Sequence, residues 1–525
     1  MNKILARANR RATVGGAAVL ISGAYLASRL LGLLRDRLLA AHFGISPLTD
    51  AYTAAFRLPE LLFTLLVSGA FAVAFIPVIT AHWSRQERDE AWEVSSVILN
   101  LLMLATLVLG VVMFILADPL TTLIAPGFDA YRHQLTVELT RIMLVTPFFF
   151  AISSVFGSIQ QSFNRFFFYA TASIFYNLGI IFGIVVLADR YGIYGVAIGV
   201  VAGTAVQAAV QILGLAGLGY RYRPSLNYRH KSVIKILKLM VPRSIDQGIN
   251  QLNYTVQTII GSQLAVGSLT AYYYANNLKN VPLAIFGSAI ATAAFPGLAK
   301  SATAKHRDSL IENLVTNARL ILFLVIPSAT VAVLMRGYIV RLLFGFGSPV
   351  TASLLGWFAG VIVFQSLFFL IARVYYALQD TKTPLYTSLV AIGLNIFLSV
   401  VLVRPYGVVG LAMAQSLAAA VQTAMLAYLL KQRLGTIGGR AIARNVAKML
   451  LANLIMASVI YLMVARVLPL FIFDRGFAVI GPKFAVIALA GALAYLLPSY
   501  ALGLREARLV VGKLKASLLR PLNLD

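Results

Sequence analysis

Long apolar runs recur along the whole chain, separated by short polar turns. A helix crosses a bilayer in about 20 residues. Fourteen runs reach or approach that length, near 17–42, 50–81, 92–117, 134–158, 166–188, 193–219, 232–263, 268–298, 309–334, 350–378, 384–403, 407–430, 446–466 and 478–503. Barrel strands need only about 9–11 residues, so these runs predict helices. The pattern implies an all-α polytopic membrane protein with 14 transmembrane helices. The longest gaps are roughly 15 residues, too short to hold a soluble catalytic domain.

Composition agrees. Of 525 residues, 60% are hydrophobic and 12% charged, against about 45–50% and about 25% in soluble chains. This excludes a soluble enzyme, a nucleic-acid-binding domain and a disordered protein. The net charge of +26 is then read through the loops. Lys and Arg number 26 on the side that holds the N-terminus and 7 on the other. Such asymmetry predicts that both termini are cytoplasmic. The first apolar run is too long for a signal peptide and carries charges, which predicts an uncleaved first helix. Cysteine is absent, which excludes disulfide and thiolate chemistry.

The chain resembles itself at an offset of about 215–220. Asn177 answers Asn395, Tyr191-Gly192 and Gly195 answer Tyr406-Gly407 and Gly410, and Ala205-Val206-Gln207 answers Ala420-Val421-Gln422. Gly69 with Ile76-Pro77 answers Gly287 with Phe295-Pro296. Six helices per copy, an even number, give both copies one orientation, related by an axis along the membrane normal. Transporters built this way place their substrate path between the halves. The expected division is 1–220 for the first lobe (helices 1–6), 221–435 for the second (helices 7–12), and 436–525 for helices 13 and 14 with a basic tail.

Charges inside spans face a protein interior or water. In the first run Ser22, Tyr25, Ser28, Arg29, Gly32, Arg35 and Asp36 share a wedge of about 140°. In the second, Asp50, Thr53, Arg57, Glu60, Thr64 and Ser68 share about 80°, and Pro59 should bend the helix near mid-span. In the seventh, Arg243, Asp246, Gln247, Asn250, Asn253, Tyr254 and Gln257 share about 120°. The eighth carries Asn276, Asn277, Lys279 and Asn280. These runs occupy equivalent places in the two repeats, which predicts one hydrated cavity walled by helices 1, 2, 7 and 8. Internal ion pairing, Arg29 with Asp36 or Arg57 with Glu60, is the competing account. Arginine holds phosphate in a bidentate fork and stays ionised at low dielectric. The expected ligand is therefore an anionic head group such as a diphosphate, with Arg29, Arg35, Asp36, Asp50, Arg57, Glu60, Arg243, Asn277 and Lys279 as candidate binding residues. Asp246 with Asn395 is the candidate coupling-ion site, and Gly32, Pro59 and Gly69 are candidate bending points. The five histidines, His42, His82, His133, His230 and His306, have no metal-ligand spacing. No phosphate-binding Gly-rich loop with Lys-Ser/Thr is present. No catalytic role, resident metal or cofactor is expected.

The same residues carry a resemblance. Ser28-Arg29-Leu30-Leu31-Gly32 with Arg35-Asp36, Phe43-Gly44, Asp50-Ala51-Tyr52, Phe56-Arg57-Leu58-Pro59, Gly69-Ala70-Phe71 and Phe75-Ile76-Pro77 form the first half of the pattern. Tyr273-Tyr274-Ala275, Gly287 through Pro296, and Tyr375 through Pro384 with its Gln379-Asp380-Thr381-Lys382-Thr383-Pro384 turn form the second. Across helices 1–12 the chain resembles the MurJ (MviN) lipid II flippase family of the multidrug/oligosaccharidyl-lipid/polysaccharide exporter superfamily. The resemblance implies a lipid-linked disaccharide-peptide diphosphate as cargo in peptidoglycan synthesis, moved across a bacterial plasma (inner) membrane by alternating access. It implies drive by membrane potential or by a cation such as sodium or a proton. It implies a lipid-tail groove at helices 13 and 14, cavity-facing Arg29 and Arg35, and an important acidic Asp50. The chain departs from the family pattern at Phe63, Ser68 and Asn276-Asn277, where charged residues are usual. Arg243 and Lys279 are candidate replacements.

Two readings of the same superfamily stay open beside this one: export of another lipid-linked glycan, and drug or cation antiport. A lipid-modifying membrane enzyme and a non-transporting scaffold rank below them. Expected partners are the lipid II cargo and membrane lipids, with no nucleic acid. A monomer is expected, alone or beside cell-wall synthesis proteins.

Overall fold

The computed structural model describes residues 14–67, 70–304, 307–345, 347–435, 439–471, 473–474, 476–509 and 512. All regular elements among them are helical. Twelve helices are long and apolar enough to cross a membrane. They are α2 (Pro47–Ser84), α3 (Arg88–Ile115), α4 (Ala130–Ser162), α5 (Phe167–Tyr191), α6 (Ile193–Leu213), α8 (Ser268–Thr303), α9 (Arg307–Leu334), α10 (Pro349–Ala377), α11 (Lys382–Tyr406), α12 (Val409–Leu434), α13 (Ala443–Val467) and α14 (Phe477–Ala501). Two further helices have crossing length without entering that set: α1 (Val14–Phe43) and α7 (Lys231–Ser262), of 30 and 32 residues. Twelve of the fourteen expected spans are thus met by length and apolarity, while α1 and α7 are long helices that do not reach the same apolarity.

The chain forms two compact units, Met1–Thr270 and Ala271–Asp525. The division between the compact units falls after Thr270. Helix α7, the opening helix of the second repeat, packs on α2 inside unit 1, and Gly248 of α7 leaves room there for the Leu65 side chain. The linker before α7 also belongs to unit 1. Ser96 of α3 accepts the Arg223 N–H at 3.1 Å, Asn100 donates to the Ser225 carbonyl at 2.9 Å, and Arg223 pairs with Asp89 at 3.0 Å.

Unit 1 is closed by a glycine ladder. Gly179 and Gly183 of α5 face Gly199 and Gly203 of α6, all at four-residue spacing. A Cβ on Gly179 would lie 2.2 Å from the Gly203 Cα, and one on Gly199 would lie 2.6 Å from the Gly183 Cα. Only glycine permits backbones to approach this closely. The repeat is visible in backbone geometry. Gly192 (φ 57, ψ −140) and Gly407 (φ 56, ψ −143) turn the chain alike before α6 and α12. A Cβ on Gly195 would meet the Leu187 carbonyl at 2.6 Å, and one on Gly410 would meet the Leu402 carbonyl at 2.4 Å. In unit 2, α11 packs on α12, while α13 and α14 pack on each other and α13 packs on α9. The last contact runs through Met449, Ala452, Met456 and Ile460 against Phe323 and Ile326.

Two breaks follow from proline and capping chemistry. Helix α2 is interrupted at Phe56, between Pro47–Ala55 and Arg57–Leu66. Pro59 has no N–H for the Ala55 carbonyl four residues back, and the Thr140 hydroxyl donates to that carbonyl at 3.4 Å instead. Before α11, Gln379 adopts a left-handed φ of 60. Asp380 accepts the N–H groups of Lys382 and Thr383 at 3.1 and 3.0 Å, the Thr383 hydroxyl at 2.9 Å, and Arg433 at 2.6 Å. The Thr383 N–H leads the effects that hold this carboxyl below its ordinary range, with the Thr383 hydroxyl and Arg433 adding to it against the opposing cost of burial.

A carboxylate whose folded pKa is depressed contributes stability above its unfolded pKa and loses it as pH falls through the folded value. Asp380→Asn should therefore flatten the acid limb of a thermal-unfolding profile recorded in detergent between about pH 5 and pH 2. An unchanged acid limb would show that Asp380 is not linked to folding.

Candidate substrate-binding site

The polar face of α1 is held by α5. Asp36 is buried and takes the Arg35 guanidinium, with Nη2 at 2.7 Å and Nε at 3.0 Å from Oδ1. The other Arg35 terminal nitrogen reaches Asn177 Oδ1 at 3.4 Å. The Asn177 amide donates to Ser28 Oγ and to the Ser173 carbonyl, each at 3.1 Å. One turn away, Arg29 is exposed. Its Nε donates to the Tyr25 hydroxyl at 3.2 Å and its guanidinium lies 5.5 Å from the Tyr25 ring. Arg29 has no carboxylate partner among the described residues. Helix α1 runs through Gly32 unbroken, and a Cβ there would meet Asn177 at an ordinary 3.7 Å.

On α2, Arg57 pairs with Glu60 at 3.1 Å and lies 5.9 Å from the Tyr254 ring of α7. Its Nε is buried without a hydrogen-bond partner. Asp50 has a different setting from the cavity wall expected of it. It is 1% exposed and accepts the Gly267 N–H at 2.6 Å, the Thr270 N–H at 2.9 Å and the Thr270 hydroxyl at 2.7 Å. Arg132 stands 4.0 Å away. The carboxylate thus ties the start of α2 to the turn between α7 and α8. Of the two competing ion pairs, Arg57 with Glu60 is present, while Asp36 takes its neighbour Arg35 and not Arg29.

The remaining candidates are distributed. The side chains of Arg243 and Asp246 on α7, and Gly69, lie outside the described residues. In unit 2, Lys279 is 3% exposed. It donates to Gln415 Oε1 at 2.7 Å and sits 4.2 Å over the Phe358 ring. Tyr272 shares Gln415 at 3.3 Å. Asn277 is half-buried one turn from Asn280, and Asn395 is buried on α11. The structure thus brings together Arg29, Arg35 and Asp36 on α1, and Arg57 and Glu60 on α2. It places Lys279 and Asn395 on separate helices of unit 2.

Unit 1 also contains a cavity of about 350 Å³. Its walls include Tyr25 of α1, Phe63 of α2, Ser154 and Gln161 of α4, Ser173 of α5 and Gln207 of α6. No charged residue lines it. Gln207 is braced by Ser153 Oγ at 3.0 Å. Tyr25 joins this cavity to Arg29, so an uncompensated cation stands beside a chamber of hydroxyls, amides and aromatic faces. Of these lining residues, the sequence marks only Tyr25, Phe63 and Gln207. The spacing of Ser154, Ser158 and Gln161 on one face of α4 was the available signal.

A neutral polar chamber with a guanidinium at its edge suits an amphiphile that carries an anionic linkage and uncharged polar groups. Comparison with known proteins gives this a family. A model described as "Lipid II flippase MurJ" matches residues 39–478. The chain belongs to the MurJ lipid II flippase family. A relative in Vibrio cholerae, described as a probable lipid II flippase MurJ, is 29% identical over 432 residues, 78% of this chain and 81% of the relative. One in Rhizobium meliloti with the same description is 30% identical over 466 residues, 85% of each chain. A solved structure of the lipid II flippase MurJ in an inward closed conformation aligns with a TM-score of 0.78 at 26% identity, covering 92% of this chain and 98% of that one. An inward-facing multidrug transporter of the MATE family aligns at 0.66 with 14% identity over 78% of this chain, a likeness of fold alone. The protein is a multi-span helical membrane protein of a transporter family.

Loss of Asp50 from such a protein should register in folding before it registers in cargo binding. Asp50→Ala strands the Gly267 and Thr270 N–H groups, and each buried donor left unmade costs about 1–3 kcal/mol. The expected result is a lower unfolding midpoint in detergent, with the folded fraction keeping its affinity for a polyprenyl diphosphate. Full stability with lost affinity would instead place Asp50 at the cargo.

Proposed function

We propose that this chain translocates lipid II, the undecaprenyl-diphosphate disaccharide-peptide, from the cytoplasmic to the outer leaflet of a bacterial plasma membrane by alternating access. The observation that carries the reading is the family match over residues 39–478 together with Arg29, whose guanidinium has no carboxylate partner among the described residues. A diphosphate taken out of water without matching charge is prohibitively costly. Arg29 supplies a bidentate donor for it. Arg35 and Arg57, already held by Asp36 and Glu60, act as fixed dipoles beside it. The Ser, Gln and Tyr side chains of the unit 1 cavity offer hydrogen bonds to the uncharged part of the head group. The polyprenyl tail stays in the bilayer, along α13 and α14.

In this reading the N- and C-termini are cytoplasmic, the chain acts as a monomer, and the cycle is driven by membrane potential or a coupling cation at Asp246 with Asn395. Arg243 and Lys279 take the place of the family charges absent at Phe63 and at Asn276-Asn277, and Asn277 is a further candidate cargo contact.

Rescue of a bacterium depleted of its own MurJ tests the proposal. The wild-type chain should restore growth. Arg29→Ala should fail to restore it while reaching the membrane at wild-type levels. Full rescue by Arg29→Ala would reject the anion site, and no rescue by the wild-type chain, correctly inserted, would reject lipid II as the cargo.

A further inference from the structure

A cluster away from the candidate cargo site has metal-binding chemistry. His82 lies in the last turn of α2 and is 8% exposed. The chain then reverses through Gln86 at φ 64, and the Glu87 N–H returns to the His82 carbonyl at 3.0 Å. This turn brings Glu87 Oε2 to 2.7 Å from His82 Nδ1. One turn into α3, Glu90 Oε2 stands 4.0 Å from the same nitrogen. One ligand atom from each of the three residues lies within 4.8 Å of the others.

The linker entering α7 supports this group from the other side. Ser232 Oγ is 2.8 Å from His82 Nε2. His230 Nε2 is 3.2 Å from Glu90 Oε1. His230 Nδ1 accepts the Ser232 N–H at 3.2 Å, so its proton sits on Nε2 and is donated to Glu90. His230 is thereby a second-layer support and not a ligand. Ser232 Oγ is placed to accept the Nε2 proton of His82, the tautomer in which Nδ1 can serve as a metal ligand. Outer partners of this kind fix ligand tautomer and orientation in metal sites. The nearby cations are engaged elsewhere: Arg88 lies 4.9 Å from the Trp83 ring, and Arg223 pairs with Asp89 and Glu93.

We propose that His82 Nδ1, Glu87 and Glu90 bind a divalent transition-metal ion of the Zn²⁺ class, leaving one position open to water. Ligand bonds of about 2.0–2.2 Å in a tetrahedral shell put donor atoms roughly 3.3 Å apart. Glu87 moves outward by about half an ångström and Glu90 inward by a little more to meet this. Both carboxylates are half-exposed and free to adjust. An imidazole with two carboxylates selects a transition ion over Mg²⁺ or Ca²⁺. Binding displaces the proton held between His82 and Glu87 into solvent. The ion would fasten the α2–α3 turn to the start of α7 through Ser232 and His230. The inference is independent of which head group is transported.

The test uses the full-length protein in detergent, freed of any affinity tag and stripped with a chelator, then titrated calorimetrically with Zn²⁺. One ion per chain is expected. Glu90→Gln and His82→Ala should each weaken binding at least tenfold. Glu93→Gln, which faces Arg223, should leave it unchanged. Co²⁺ in place of Zn²⁺ should give ligand-field absorption that disappears in Glu90→Gln. Absence of binding in the wild type, or equal affinity in wild type and Glu90→Gln, would overturn the proposal. Glu90 is half-exposed and its replacement isosteric, so this variant decides the matter even if His82→Ala misfolds.

Discussion

A charge placed inside an apolar helix must find a partner or water, because the bilayer supplies neither. Much of unit 1 is organised around this requirement. Arg35 is settled by its neighbour Asp36 and by Asn177, and Arg57 by Glu60. Asp50 is satisfied by backbone N–H groups and a hydroxyl more than two hundred residues away. These arrangements account for most of the ionised groups in the polar wedges of α1 and α2. Arg29 is the exception. It stands on the same face, exposed, with only a phenol and an aromatic ring beside it. A cation kept available in this way is what recognition of a diphosphate needs, and it is why the functional account rests on one arginine more than on the count of arginines.

The scaffold that presents it is rigid for a separate reason. The glycine ladder between α5 and α6 brings two backbones into contact, and α5 in turn carries the Asn177 and Ser173 groups that hold α1. The polar cavity beside Tyr25 lies among α1, α2, α4, α5 and α6. It is thus framed by helices whose spacing is set by backbone packing. The matching turns at Gly192 and Gly407 show that the second unit was built from the same plan.

The fold was largely legible in the sequence, because spans announce themselves by length and apolarity and because turn glycines recur at a fixed offset. The site was legible only in part. Helical periodicity identified the face that carries Arg29, Arg35 and Asp36, but periodicity does not say what lies across from a face. That Asp36 takes Arg35, and that Asp50 caps the turn at Gly267 and Thr270, are tertiary facts. The cavity lining was missed because Ser154, Ser158 and Gln161 carry no charge and sit quietly within an apolar run. His82 and His230 lie far apart in the chain and have no ligand spacing. They share Glu90 only because the linker folds back along α3.

The absence of cysteine from the chain makes the central claim directly measurable. A single Arg29→Cys substitution, treated in sealed vesicles of defined orientation with a charged, membrane-impermeant thiol reagent, reports whether this position faces water inside the membrane. The account predicts rapid modification from the aqueous phase, comparable to a cysteine placed in an exposed loop. Modification only by an apolar, membrane-permeant reagent would mean that the position faces lipid or a dry interface, and would contradict it.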